Sequence, residues 1–144
     1  MKLHKALKLR KKIAGEISKI KEQISSKNSY TEGQPVRYDV PTLLSVLDSK
    51  VNDLVRLKYN INRTNDPIQS DIYRLAELKG LIIMWSGVST EEGSRNFGYA
   101  ERTIVYKAQI NEEEKDALVA KIQKEIDDIQ ESIDTFNYTT DLIE

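Results

Sequence analysis

Leu3, Ala6, Ile13, Ile17, Ile20 and Ile24, with Arg10 between them, recur along the start of the chain at alternating steps of three and four residues. That spacing brings side chains back to one side of an α-helix every turn, and it predicts a helix over about residues 2–27 with a narrow apolar seam. Lys5, Lys8, Lys12 and Lys19 fall on the far side, and Arg10 is the one seam position unsuited to an oily interior. From Asn28 to Pro41 the period is lost. Gly33, Pro35 and Pro41 break helices there, while Val36–Val40 alternates as a short extended piece would.

Pro41 and Thr42 open a second predicted helix, about 42–61, with Leu44, Leu47, Val51, Leu54 and Ile61 on one stripe and Lys58 interrupting it. The Asn-rich run from Asn60 to Pro67 reads as a stop and turn. A third helix, about 69–86, uses Ile72, Leu75, Leu78, Ile82 and Trp85, with Gly80 inside it at about 1 kcal/mol relative to Ala unless a neighbour needs the room. Residues 86–101 form a Gly/Ser/Glu-rich loop. Alternation over Thr103–Ile110 favours a strand. Asn111 followed by three glutamates then resembles a capped helix start, and Val119, Ile122, Ile126, Ile129, Ile133 and Phe136 carry a fourth helix over about 112–136. Asp141–Glu144 reads as a tail.

Four helices in succession predict a mainly α fold: one domain, 1–144, built as an antiparallel, coiled-coil-like four-helix bundle. The long connections would meet at one end, where residues 36–40 and 103–110 are expected to pair as a β-ribbon. The opposite end would gather the first turn of helix one, the Asn60–Asn65 turn and the finish of helix four.

Composition narrows the chemistry. Apolar residues at 39% and charged residues at 31% are enough for a core in a charge-rich globular chain. Without cysteine, disulfides, thiolate metal sites and a cysteine nucleophile are excluded. No apolar run approaches the ~20 residues of a membrane span, and no secretory signal is visible, so the expected location is cytoplasmic with no membrane partner. The net charge of −1 conceals an asymmetry: residues 1–30 carry nine Lys/Arg against two Glu, and residues 111–144 carry three Lys against eleven Asp/Glu. Such complementary ends suit packing of helix one against helix four, in one chain or between copies. A homo-oligomer or a protein partner is therefore expected. Nucleic-acid binding by helix one is disfavoured, because its lysines lack interleaved aromatics or a helix-turn-helix context.

Several short motifs carry a family likeness. The start Met1-Lys2-Leu3 with Ala6-Leu7 and Arg10, the turn Ile61-Asn62 with Thr64-Asn65, the Glu32-Gly33 pair and the finish Ile133, Asn137-Tyr138-Thr139-Thr140, Leu142 resemble the septicolysin-like family of small bacterial helical proteins. The resemblance implies a helical bundle with one extended excursion and little about activity. The pore-forming role in that name is not supported by the residues, since every helix is densely charged.

Arg10, Asn62, Thr64, Asn65, Asn137 and Tyr138 converge on one end if the topology is right. A guanidinium and several amides could there hold a carboxylate, a phosphate or a nucleotide edge. The same residue types also end helices through side-chain-to-backbone bonds, and that capping role is the one they favour. Glu125, Asp128, Glu131 and Asp134 on helix four form a wet face rather than a metal site, since dinuclear bundles use Glu-x-x-His pairs and the lone histidine is His4. No catalytic residues, metal or cofactor are indicated: there is no glycine-rich phosphate loop and no nucleophile-elbow pattern. Phe97, Tyr99 and Tyr106, with Gly93 and Gly98, make the second loop a possible binding lid or subunit contact. The expected function is thus self-association or partner binding without catalysis; the alternative is a small-ligand- or nucleotide-binding protein, or an enzyme, that uses the Arg/Asn/Tyr end.

Overall fold

A computed structural model describes residues 1–98 and 102–144. The fold is mainly helical, with four helices, α1 (Leu3–Lys27), α2 (Val40–Thr64), α3 (Gln69–Ser86) and α4 (Glu112–Thr139), and two strands, β1 (Gly93–Phe97) and β2 (Arg102–Tyr106). The chain divides into two compact units, Met1–Pro67 with Thr135–Glu144, and Ile68–Asp134.

In the first unit α1 and α2 run antiparallel, because Glu16 and Lys50 pair at mid-length (2.7 Å) while Leu3 shares a core with Leu57 and Ile61 at the end. The predicted seam of α1 is the buried one: Leu3, Ala6, Ile17 and Ile20 are buried and Arg10, Ile13 and Ile24 half-buried. On α2 the facing stripe is Leu43, Leu47, Lys50, Leu54, Leu57, Ile61 and Thr64, again at alternating steps of four and three. Leu44 and Val51, expected inside, are 47% and 39% exposed. Both phases of α2 are apolar enough to pass for a core face, and the Glu16–Lys50 ion pair belongs to the one that meets α1.

Residues 36–39 form no strand, so the expected ribbon of 36–40 with 103–110 is corrected. Val40 begins α2, because Asp39 caps it: its carboxylate accepts from the Thr42 amide (3.3 Å) and the Thr42 hydroxyl (2.7 Å). Pro41 then falls in the first turn, where its missing N–H leaves no helical bond unmade. At the other end α2 continues to Thr64, and the Asn-Asp-Pro sequence becomes a cap at Asn65 and a single 3-10 turn, Asp66–Ile68.

In the second unit β2 pairs antiparallel with β1, Gly93 opposite Tyr106 and Phe97 opposite Arg102. The expected strand at 103–110 is thus present as 102–106 with a different partner. Adjacent segments close a far shorter loop than residues 36–40 could, and loop-closure entropy favours the local hairpin. Tyr99, expected in a lid, lies outside the described residues. Asn111 caps α4 as its position predicts, its side-chain oxygen accepting from the Glu114 amide (2.8 Å). Leu78 of α3, Ile126 and Ile133 of α4, and Ile68 are the buried apolar residues among those described in this unit.

Candidate functional site

The expected polar cluster lies in the first unit, where the beginning of α1, the end of α2 and the segment after α4 come together. Lys2 has extended backbone and no side chain to cap α1. The orphan donors of the first turn are met from elsewhere: the Leu3 amide donates to the Thr140 carbonyl (2.9 Å), and the Leu142 amide donates back to the Met1 carbonyl (2.7 Å). Lys2 and Asp141 are thereby bridged as antiparallel extended residues. The Lys2 ammonium donates to the Thr139 carbonyl and to Asp141 Oδ2, each at 3.0 Å. It supplies the positive charge that the last turn of α4 lacks and that the helix dipole favours there. The same contact holds the Asp141 carboxyl below its usual range.

Thr64 closes the arrangement. It is 2% exposed, its hydroxyl donates to the Asn60 carbonyl (2.7 Å), and its oxygen accepts from the Ile143 amide (3.0 Å). Beneath this clasp Leu142 packs with Leu3, Ala6, Leu57 and Ile61 as one buried cluster. The tail is therefore a core element. The signal in the sequence was the apolar pair Leu142-Ile143 just past the last helical turn, too short to register as a period.

The candidate residues divide accordingly. Thr64 ends α2 and Asn65 stands at its C-cap position, where the Asn65 backbone amide, not its side chain, donates to the Ile61 carbonyl (3.0 Å). Tyr138 is 62% exposed, with its ring 4.4 Å from that of His4. Asn62 is exposed and Asn137 half-buried. Arg10 lies seven residues beyond Leu3, about 10 Å along the helix, and its guanidinium makes no hydrogen bond or ion pair among the described residues. The structure thus joins Thr64 to the tail and Tyr138 to His4 without gathering all six around one point. Among the described residues, two buried polar atoms have no hydrogen-bond partner, His4 Nδ1 and Asn65 Oδ1.

Beside the clasp the first unit carries a groove of about 840 Å³, lined by Met1, Leu9, Ile13, Leu57 and Leu142 together with Asp53, Arg56, Tyr59, Asn60 and Glu144. None of the six candidate residues lines it. Sequence reasoning missed this feature because Leu9 and Tyr59 lie outside the stripes that define the helices.

Several acids of α4 are engaged within the second unit. Glu125 pairs with Arg74 (2.5 Å), Asp128 with Lys124 (3.0 Å), and Asp127 and Asp134 accept from Gln123 and Gln130 one turn earlier. Among the described residues no group of three or more His, Asp or Glu is placed to hold a metal ion. No helix among them is long and apolar enough to cross a membrane.

No curated protein matches the chain. A crystal structure of a functionally unknown conserved protein from Corynebacterium diphtheriae is similar over 99% of both chains, with a TM-score of 0.82 and 20% sequence identity, a likeness of fold alone. The septicolysin-like resemblance is overturned: the motifs that suggested it are short, and the family profile that matches, over residues 10–142, is a different one. By that match the chain belongs to a family of unknown function, DUF6847.

Proposed function

We propose that this protein works without catalysis, through self-association of its helices. The observation that carries the reading is its surface. The chain exposes 10900 Å². A compact chain of 16.5 kDa exposes about 7,500 Å², and even two separate compact units of half that mass expose about 9,100 Å² together. The excess of roughly 1,800 Å² over the second figure is larger than the ~800 Å² each partner contributes to a standard interface. Much of it is apolar: Val55, Tyr59, Tyr73 and Ile83 are each at least 60% exposed. A second copy that covers such faces would supply the burial that one chain lacks.

Size-exclusion chromatography with light scattering tests this; a strict monomer at high concentration counts against it. One domain built as an antiparallel four-helix bundle belongs to the same proposal, and a single cooperative unfolding transition would support it. A cytoplasmic location completes the proposal and is tested by cell fractionation.

A second reading rests on the groove beside the clasp, whose volume falls in the ~300–1,000 Å³ range of small-molecule sites. A thermal-shift screen of metabolites tests it, since a ligand at ~100 times its dissociation constant adds about 2.7 kcal/mol. Hits that survive Arg56→Ala and Tyr59→Ala unchanged would move the ligand elsewhere. Binding by the six-residue Arg10/Asn62/Thr64/Asn65/Asn137/Tyr138 cluster would instead show as hits abolished by Arg10→Ala.

A further inference from the structure

The outer face of α3 has the wrong composition for a surface that meets water. Leu78 is buried and Leu75 and Ile82 half-buried, which fixes the inward side of the helix. At 100° per residue the opposite side carries Tyr73, Ala76, Gly80, Ile83, Met84 and then Gly87 at the helix end. All are exposed, Tyr73 at 65% and Ile83 at 73%, and Glu77 is the one charge among them. A solvent-facing helix side is ordinarily polar. Gly80 is odder still. A Cβ built on it meets nothing within 4 Å, so no neighbour in the chain requires glycine, the poorest helix former after proline.

We infer that this face is where a second copy of the chain docks, as an antiparallel, two-fold α3–α3 contact centred on Gly80. The inference rests on the self-association proposed above. In such a contact, residues equidistant from Gly80 on the two helices face each other. Tyr73 then lies opposite Gly87 of the second copy, Ala76 opposite Met84, and Gly80 opposite its own counterpart. At the levels four and seven residues from the axis a large side chain meets a small one, as close interdigitation of two identical faces needs, while on the flank Ile83 lies opposite Glu77. The unexplained glycine lets the two backbones approach. The excess surface supplies the occupant: the roughly 1,800 Å² exposed beyond that of two separate compact units is more than the ~800 Å² that one side of a standard dimer interface removes.

The chain contains no cysteine, so a single introduced thiol reports on this contact alone. Gly80→Cys, oxidised mildly in the full-length protein, should form a disulfide-linked dimer, because Cα atoms on the axis would lie within the ~7 Å a disulfide spans. Lys79→Cys, turned off the contact, should not. Gly80→Leu should convert the dimer to a monomer in light scattering while helical circular dichroism is kept, since leucine favours the helix and meets open space in the single chain. A wild-type dimer that neither cross-links through Gly80→Cys nor dissociates with Gly80→Leu overturns this contact and leaves self-association standing. A wild-type monomer overturns both.

Discussion

Thr64 is buried where most threonines are not, and both halves of its hydroxyl are used. Replacing it with valine keeps the shape but strands the Ile143 amide, which has no other partner. Thr64→Val is expected to cost about 1–3 kcal/mol in urea unfolding, while Thr64→Ser should recover most of the loss. Lys2 and Asp141 set a pH response at the same place. The Asp141 carboxyl is held below its ordinary value, chiefly by its hydrogen bond to Lys2. The stabilisation it lends is therefore present above its unfolded value and is lost as pH falls through the depressed folded one. The protection of the Leu142 and Ile143 amides against hydrogen exchange, corrected for the intrinsic rate, should fall at acid pH before that of amides in the middle of α1. With Lys2→Met that early acid step should shrink, because the largest cause of the depression is removed and the N-terminal ammonium alone still favours the carboxylate. Asn65 is the residue for which capping alone leaves something over, since its side-chain oxygen is buried without a donor.

At the level of elements, local rules account for where the helices start. Asp39 and Asn111 cap α2 and α4 with side-chain oxygens, and three glutamates in the first turn of α4 meet the positive end of its dipole. α1 begins without such a cap and relies on the tail, which is why its first turn belongs to the clasp rather than to solvent. Gly15 tests how far propensity matters here. It is exposed in mid-α1 with nothing within 4 Å of a built Cβ, on the side away from the buried seam. Gly15→Ala should raise the stability measured in urea by up to about 1 kcal/mol, with unchanged association. Gly15 and Gly80 are equally unneeded inside the chain, but only Gly80 sits on a face free of charges save Glu77.

For the molecule as a whole, the excess of accessible surface makes a thermodynamic prediction independent of which face is used. If burial is completed between copies, the midpoint of thermal unfolding must rise with protein concentration, by mass action on the associated state. A midpoint constant over a hundredfold dilution, roughly 2.7 kcal/mol of linkage if association were saturated, would leave self-association without support. The basic first helix and acidic fourth helix are compatible with this behaviour, and added salt should then weaken association where charged faces contribute.

What the sequence determined by itself is what local chemistry controls: the four helices, the α1 seam, the Asn111 cap and the acids of α4 as a solvated face. These follow from periodicity and from capping groups within a few residues of their targets. The phase of α2 was not legible, because Leu44 and Val51 are as apolar as Leu43 and Lys50 is not, and only its partner Glu16 on α1 distinguishes the two stripes. The ribbon partner was missed because alternation marks a strand but not what it pairs with; closure of a short loop selected 93–97 over 36–40. The tail was missed because two apolar residues carry no period. Only tertiary structure could decide that Leu142 completes a core with Leu3 and Ile61, since that core is assembled from segments far apart in the chain. The candidate site followed the same division: the Thr64 hydroxyl donates to nearby backbone, as its type allows, whereas its bond to the Ile143 amide and the groove beside it exist only where two helices and the tail meet.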